Sequence, residues 1–159
     1  MPRNLTNMQW FNKPPKIGKE TPPHQDGYYF MLDPSEAVTM WLVLEDVDEE
    51  NGCVRYIPGF HQEGLRAHGG TGVFSFSQGI INYEQKDKLK EIPMLVGAGD
   101  LLVHPSMTIY RANANTGTRT RMGMGLGLIY YSSVARENKE KQALKNALGH
   151  TSFFKWASQ

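Results

Sequence analysis

The sequence has little cysteine, almost no net charge and no long apolar run. Cys53 is the only cysteine among 159 residues, which excludes an internal disulfide and a cysteine-cluster zinc site. Seventeen basic residues against sixteen acidic ones give a formal net charge of +1, so no large field attracts nucleic acid or anionic lipid. No apolar run approaches the roughly 18 residues of a membrane helix. These absences predict a protein that binds neither nucleic acid nor membranes.

The same features predict one domain and a reducing compartment. The first ten residues lack the apolar segment of a signal peptide, and a single cysteine is typical of a reducing environment, so we expect the cytoplasm. The length and the hydrophobic fraction of 40% favour a single domain over residues 1–159.

Short β-branched and aromatic runs, separated by Pro, Gly and Asn, dominate the first 131 residues. They predict strands at 8–12, 28–32, 37–44, 53–57, 73–76, 92–96, 101–104, 107–110 and 121–131. Asn51 and Gly52 tolerate the positive φ angles of a tight turn, so segment 48–52 predicts a hairpin. Residues 136–148 are charged, rich in Ala and free of Gly and Pro, which predicts a C-terminal helix. The pattern is that of an all-β sandwich or barrel.

A histidine and a carboxylate lie two residues apart at His24 and Asp26. In an extended segment, residues i and i+2 point to the same face, so the two side chains converge as metal ligands do. A chance His-x-Asp is expected roughly one time in five in such a chain, so the tripeptide alone is a weak motif. The alternative reading is a solvated loop.

The sequence around this pair carries further motifs in a fixed order. They are FNKPP at 11–15, TPPHQD at 21–26, WLVLED at 41–46, ENGC at 50–53, IPGFH at 57–61 and GDLLVHPSMTIY at 99–110. Asn115 and Arg121 follow. On these motifs, residues 8–133 resemble the phytanoyl-CoA dioxygenase family, oxygenases that depend on Fe(II) and 2-oxoglutarate. The resemblance implies a double-stranded β-helix, a cupin-like jelly roll, here with a C-terminal helix.

The resemblance also implies roles for individual residues. His24 and Asp26 would be two ligands of a 2-His-1-carboxylate iron site, which leaves positions open for 2-oxoglutarate and O₂. Arg121 would pair with the distal carboxylate of 2-oxoglutarate, a task suited to a guanidinium. Thr39 would hydrogen-bond this cosubstrate, and Trp41 and Gln25 would line the pocket for a small organic substrate, which the enzyme hydroxylates.

The family's second histidine ligand maps onto Tyr110. Three interpretations stay open: Tyr110 binds iron as a phenolate, which favours Fe(III); His24 and Asp26 hold the metal weakly by themselves; or the site has lost functional iron. His104 lies six residues earlier, too far along one continuous strand to reach the same metal, and a sharp bend at Pro105 would be needed.

The alternative function follows from this departure. A jelly roll that has lost one metal ligand would be a degenerate, non-catalytic binding protein. Only 23 residues precede His24, so we expect that part of the family's N-terminal portion is missing. An incomplete sheet exposes an edge, which makes self-association a further hypothesis. Arg121 and Gly123 share one strand face, where the glycine leaves room for the cosubstrate or permits close packing.

Overall fold

The computed structural model describes residues 7–73, 76–131 and 136–139. Along these residues the chain forms twelve strands: β1 (Asn7–Lys13), β2 (Thr21–His24), β3 (Leu32–Asp33), β4 (Ala37–Val43), β5 (Val54–Ile57), β6 (His68–Val73), β7 (Phe76–Ile80), β8 (Ile92–Pro93), β9 (Leu101–Pro105), β10 (Ile109–Ala112), β11 (Arg121–Tyr131) and β12 (Arg136–Glu137). Two short helices, α1 (Asp26–Phe30) and α2 (Gln85–Lys88), and a 3₁₀ turn at Phe60–Gln62 lie between them. In these parts of the chain, no helix has the length and apolar character to span a membrane.

Two antiparallel four-stranded sheets form the body of the fold. Their strand orders are β1-β11-β4-β9 and β2-β10-β5-β8. A core cluster joins the two sheets, with Trp41 and Val43 from the first and Val54 from the second. The strands come from distant parts of the chain, and every neighbouring pair is antiparallel. This arrangement confirms the predicted all-β jelly roll.

The predicted strands at 8–12, 37–44, 53–57, 101–104 and 121–131 are confirmed within about a residue at each end. The strand predicted at 28–32 is wrong, because residues 26–30 form α1. Tyr28 and Tyr29 favour strands by propensity, yet both hydroxyls bind Gln78, by its side-chain oxygen and its carbonyl respectively. These tertiary contacts stabilise a helical turn instead. The sequence pattern does not predict β2, because two of its four residues are prolines, which are uncommon within strands.

The hairpin predicted at 48–52 is also wrong, although the turn is present. Asp48 and Asn51 exchange two hydrogen bonds between backbone N–H and side-chain oxygen, and Gly52 has a φ of +84°. A Cβ at residue 52 would lie 2.5 Å from the carbonyl oxygen of Asn113, so glycine is required there. The turn connects β4 of one sheet to β5 of the other, and the two strands do not pair.

Three more predictions differ from the structure in part. Instead of one strand at 73–76, β6 and β7 pair antiparallel with each other, and residues 74 and 75 lie outside the described residues. The strand predicted at 92–96 is the two-residue β8, followed by an isolated bridge from Val96 to Val47. Arg136–Glu137 pairs with β3 rather than starting a helix. Most of the predicted C-terminal helix, from residue 140 onward, lies outside the described residues.

Candidate active site between the two sheets

His24 and Asp26 converge through one extended residue. β2 ends at His24, Gln25 has the extended angles φ −126° and ψ 127°, and α1 begins at Asp26. The two side chains therefore share a face, as the spacing predicts, although the strand does not continue through Asp26. His24 Nε2 lies 3.7 Å from Asp26 Oδ1. Both residues are buried.

Gln25 fixes this segment and does not line the pocket, so that assignment is wrong. Its side chain is 0% exposed. The amide nitrogen donates to the carbonyls of Gly64 and Met107, and the amide oxygen accepts from the backbone N–H of Arg66. Because the alternating face of Gln25 points away from His24 and Asp26, its amide ties two loops to the site from behind.

His24 presents a neutral imidazole to Asp26. Its Nδ1 lies 2.8 Å from the carbonyl oxygen of Pro22, and a carbonyl only accepts, so Nδ1 carries the proton. Burial lowers the pKa of His24 to about 4, although the charge of Asp26 acts in the opposite direction. At neutral pH the Nε2 atom therefore carries a lone pair, the form in which histidine binds metals.

Asp26 is an ionised carboxylate with donors on both oxygens. Thr39 donates to Oδ2 at 2.5 Å, and His104 Nε2 lies 3.3 Å from the same oxygen. The Tyr110 hydroxyl donates to Oδ1 at 2.8 Å. Burial alone would raise the pKa of Asp26, but the hydrogen bond from His104 and the neighbouring imidazoles outweigh it, so the pKa lies below its usual value.

Tyr110 lies beside both His24 and Asp26. It is the register partner of His24 across β10 and β2, and the two rings lie 4.1 Å apart between centroids. Burial and the adjacent charge of Asp26 raise the pKa of Tyr110 well above its ordinary value, so without a cation it is a neutral phenol. Thr39, assigned from the sequence to the cosubstrate, donates its proton to Asp26.

His104 also reaches the site, because the chain turns sharply after Pro105, the bend that its sequence position requires. β9 ends at Pro105, a turn closed by the Thr108 N–H to Pro105 carbonyl bond follows, and β10 then runs in the opposite sheet. His104 and Tyr110 therefore approach Asp26 from different sheets. Tyr56, which the sequence reading missed, pairs its hydroxyl with His104 Nδ1 at 2.8 Å. Pro105, which ends β9, was the sequence signal for the turn that brings His104 to the site.

Arg121 lies at the other side of the same space. It is 6% exposed, one Nη donates to the carbonyl of Gly52, and its Nε has no hydrogen-bond partner. Its guanidinium carbon lies 5.1 Å from the centre of the Trp41 ring. Burial lowers the pKa of Arg121 to about 10, so it stays cationic at neutral pH. Gly123 permits close packing of Trp41 and does not leave room for the cosubstrate, because a Cβ there would lie 2.0 Å from the Trp41 ring.

These side chains line one cleft of about 850 Å³, counting its open mouth. The part of this space that water-sized molecules can occupy is about 100 Å³. Most of the wall is apolar, and the polar lining residues are the group around Asp26, Arg121, and also Gln9, Thr21 and Arg111. The lining residues are Gln9, Phe11, Thr21, His24, Asp26, Tyr29, Phe30, Thr39, Trp41, Val54, Tyr110, Arg111, Ala112 and Arg121.

The donor set fits a cation in two of three positions. The His24 lone pair and the Asp26 Oδ1 anion face each other at 3.7 Å, and metal bonds to such ligands are about 2.0–2.2 Å long, so one ion can reach both atoms. Two electron-pair donors that face each other repel unless a cation lies between them. Within the described residues, no group of three or more His, Cys, Asp and Glu side chains is arranged to hold a metal. The Tyr110 hydroxyl lies beside these two donors and hydrogen-bonds Asp26 Oδ1.

Comparison with known proteins finds relatives of this chain. The family model described as phytanoyl-CoA dioxygenase (PhyH) matches residues 2–123. A phytanoyl-CoA dioxygenase of Arabidopsis thaliana is 38% identical over 96 residues, which cover 57% of this chain and 34% of that protein. The human peroxisomal phytanoyl-CoA dioxygenase is 34% identical over 109 residues, 60% of this chain and 32% of that one. The chain thus spans about a third of the length of these relatives.

Solved structures share the fold. The non-heme α-ketoglutarate-dependent carbocyclase SnoK from nogalamycin biosynthesis superposes with a TM-score of 0.60 at 25% identity, over 90% of this chain and 54% of that one. EvdO2 from Micromonospora carbonacea var. aurantiaca, complexed with 2-oxoglutarate, has a TM-score of 0.62 at 22% identity, over 82% of this chain and 54% of that one. With the family model matching three quarters of its length, the chain belongs to the phytanoyl-CoA dioxygenase family.

Proposed function

We propose that the chain is the jelly-roll core of an Fe(II)- and 2-oxoglutarate-dependent dioxygenase that hydroxylates a small organic molecule. The observation that carries the proposal is the neutral His24 Nε2 facing the ionised Asp26 Oδ1 at 3.7 Å in the cleft. Family membership and the 2-oxoglutarate named for related structures support it.

The residues around Asp26 and the residue Arg121 have separate roles in this proposal. His24 and Asp26 hold the iron, which when bound supplies Lewis acidity and activates O₂. Thr39 and His104 hold the second oxygen of Asp26, so that Oδ1 keeps its direction toward His24. Arg121 pairs with the distal carboxylate of 2-oxoglutarate through its free Nε, and this anion offsets the cost of burying a guanidinium.

The lining favours an apolar substrate. Phe11, Tyr29, Phe30 and Val54 form much of the wall around the polar group at Asp26. Arg111 also borders the cleft, but its guanidinium is held by Glu91 and Asn113. A substrate therefore meets apolar side chains with few free polar partners, which excludes water from the reacting atoms.

The alternative is a non-catalytic protein that binds a small acid in the same cleft. The hydrogen bond from the Tyr110 hydroxyl to Asp26 Oδ1 favours it, because Tyr110 satisfies the oxygen that would bind iron. In that case the Arg121 cation alone supplies the attraction for the ligand.

An anaerobic titration with Fe(II) and 2-oxoglutarate tests the proposal. We expect the visible charge-transfer band of an iron-chelated 2-oxo acid, and succinate formation once oxygen is admitted. A Tyr110→His variant should bind Fe(II) more tightly and consume 2-oxoglutarate faster. If neither protein gives the band while both remain folded, the alternative function holds.

Arg121→Met tests the cosubstrate site. It should weaken 2-oxoglutarate binding about 10- to 100-fold, because a hydrogen bond to a charged group contributes about 1.5–3 kcal/mol. Arg119 is an exposed arginine nearby that pairs with Asp48, so Arg119→Met is the matched control and should bind normally. Equal affinity in both variants would contradict the role of Arg121.

Self-association and a cytoplasmic location belong to the proposal as well. β9 is an edge strand, and its Leu101 and Val103 side chains are about half exposed. An open edge with apolar side chains favours pairing with another copy. Light scattering across micromolar concentrations should therefore detect dimers, and a strict monomer would contradict this.

The single cysteine supports a location in the cytoplasm, where thiols stay reduced. Fractionation of cells tests this location against the peroxisome, which is named for the human relative.

A further inference from the structure

The oxygen of Tyr110 points to the place where His24 and Asp26 converge. Its hydroxyl donates to Asp26 Oδ1 at 2.8 Å, and this same carboxylate oxygen lies 3.7 Å from His24 Nε2. The other oxygen, Oδ2, is held by Thr39 and His104. The His24 nitrogen and the Tyr110 oxygen therefore both lie beside the same carboxylate oxygen, and the phenol carries a proton that an ion can displace.

We propose that Tyr110 binds iron as a phenolate and that the centre thereby prefers Fe(III) to Fe(II). This inference rests on the proposed function only in taking His24 and Asp26 as the other two ligands. On binding, the phenolic O–H bond breaks, an O–Fe bond forms and the proton leaves to solvent. No electron is transferred in this step.

Charge gives the reason for the preference. Asp26 and a Tyr110 phenolate contribute two negative charges, while the His24 imidazole is neutral. A histidine at residue 110 would leave only one negative charge. Coulomb attraction scales with the product of the charges and is strong in a buried site, so the second anion stabilises Fe(III) more than Fe(II). Phenolate is a hard donor, and the harder Fe(III) ion gains more from it than Fe(II) does.

The arrangement of the neighbours supports a direct role for Tyr110. Its ring packs 4.1 Å from His24 and 4.7 Å from His104 between centroids, so the hydroxyl has little freedom to turn away. Tyr56 is a neighbouring phenol, with its ring 5.9 Å from that of Tyr110 between centroids, but its hydroxyl pairs with His104. Of these two phenols, Tyr110 is the one that hydrogen-bonds Asp26.

The test is a titration of the purified chain with ferric nitrilotriacetate, monitored by visible absorption. We expect a phenolate-to-iron charge-transfer band and tighter binding of Fe(III) than of Fe(II). Tyr110→Phe should lose the band, and its Fe(III) affinity should fall by more than the roughly 10- to 100-fold typical of losing a group that only orients a ligand. Tyr56→Phe, the matched control, should keep the band.

Tyr110→His completes the series. It should lose the band and bind Fe(II) in preference to Fe(III). If Tyr110→Phe does not fold, resonance Raman spectra of the unaltered chain decide the question, because tyrosinate vibrations are enhanced only when a phenolate binds the iron. Absence of the band with Fe(III) bound, absence of Fe(III) binding, or a band that survives in Tyr110→Phe overturns the inference.

These outcomes are separate from those of the proposed function. A phenolate band without any consumption of 2-oxoglutarate supports this inference and contradicts the proposed oxygenase. Turnover of 2-oxoglutarate by the unaltered chain, with no phenolate band in its ferric form, supports the oxygenase and overturns this inference.

Discussion

Gln25 is a buried amide whose three hydrogen bonds hold loops against the segment that carries His24 and Asp26. In Gln25→Leu these backbone groups lose their partner. The free energy of unfolding should fall by at least about 1–3 kcal/mol, the cost of one orphaned buried group. Chemical denaturation measures this. Gln62→Leu, at an exposed glutamine, should be nearly neutral. Unchanged stability with altered substrate binding in Gln25→Leu would instead restore the pocket interpretation.

The convergence of His24 and Asp26 was predictable from spacing, because one extended residue separates them. The place of Arg121 in the cleft followed only from the family resemblance, since an arginine on a strand is more often exposed. The partners of Gln25 and Thr39 were not predictable. Their hydrogen bonds join residues 13 to 82 positions apart, and a local pattern carries no information on such contacts.

At the scale of strands, the close approach of β4 and β11 positions the wall of the cleft. The Trp41 ring lies over Gly123, and a Cβ there would come within 2.0 Å of it. Gly123→Ala should therefore displace Trp41 and lower the free energy of unfolding by about 1–3 kcal/mol, as overpacking does. Thermal unfolding tests this. Gly70→Ala, in β6, is the control, because a Cβ there meets nothing within 4 Å. Similar losses in the two variants would contradict the packing argument.

Turns explain why some elements were predicted correctly and others were not. Strand positions follow from local composition, but the sheet that receives each strand depends on what the connecting turn does. The turn at 48–52 and the turn after Pro105 both carry the chain from one sheet to the other. Local turn chemistry is the same for a hairpin and for such a crossing, so the predicted hairpin was wrong, and the bend at Pro105 that brings His104 to the site stayed an open alternative.

At the scale of the whole molecule, the buried amine of Lys13 makes the free energy of unfolding depend on pH. Lys13 is 6% exposed, donates to the carbonyl of Asn113 at 2.6 Å and is the register partner of Arg121 across β1 and β11. Burial, and next the charge of Arg121, lower the pKa of Lys13 to about 7. The unfolded chain keeps this lysine protonated up to its ordinary value of 10.5. Between these two values the unfolded state binds more protons than the folded state.

Stability should therefore rise with pH from about 7 toward 10.5, where Lys13 is neutral in the fold and charged in the unfolded chain. One group contributes at most about 1.4 kcal/mol for each pH unit. Denaturation curves at several values between pH 7 and 9 measure the slope. Lys13→Met should flatten it, because no buried amine remains to titrate, whereas Lys90→Met, at an exposed lysine, should keep the slope of the unaltered chain. If Lys13→Met and the unaltered chain give parallel slopes, the buried amine does not control stability in this range, and its burial next to Arg121 carries no pH-dependent cost.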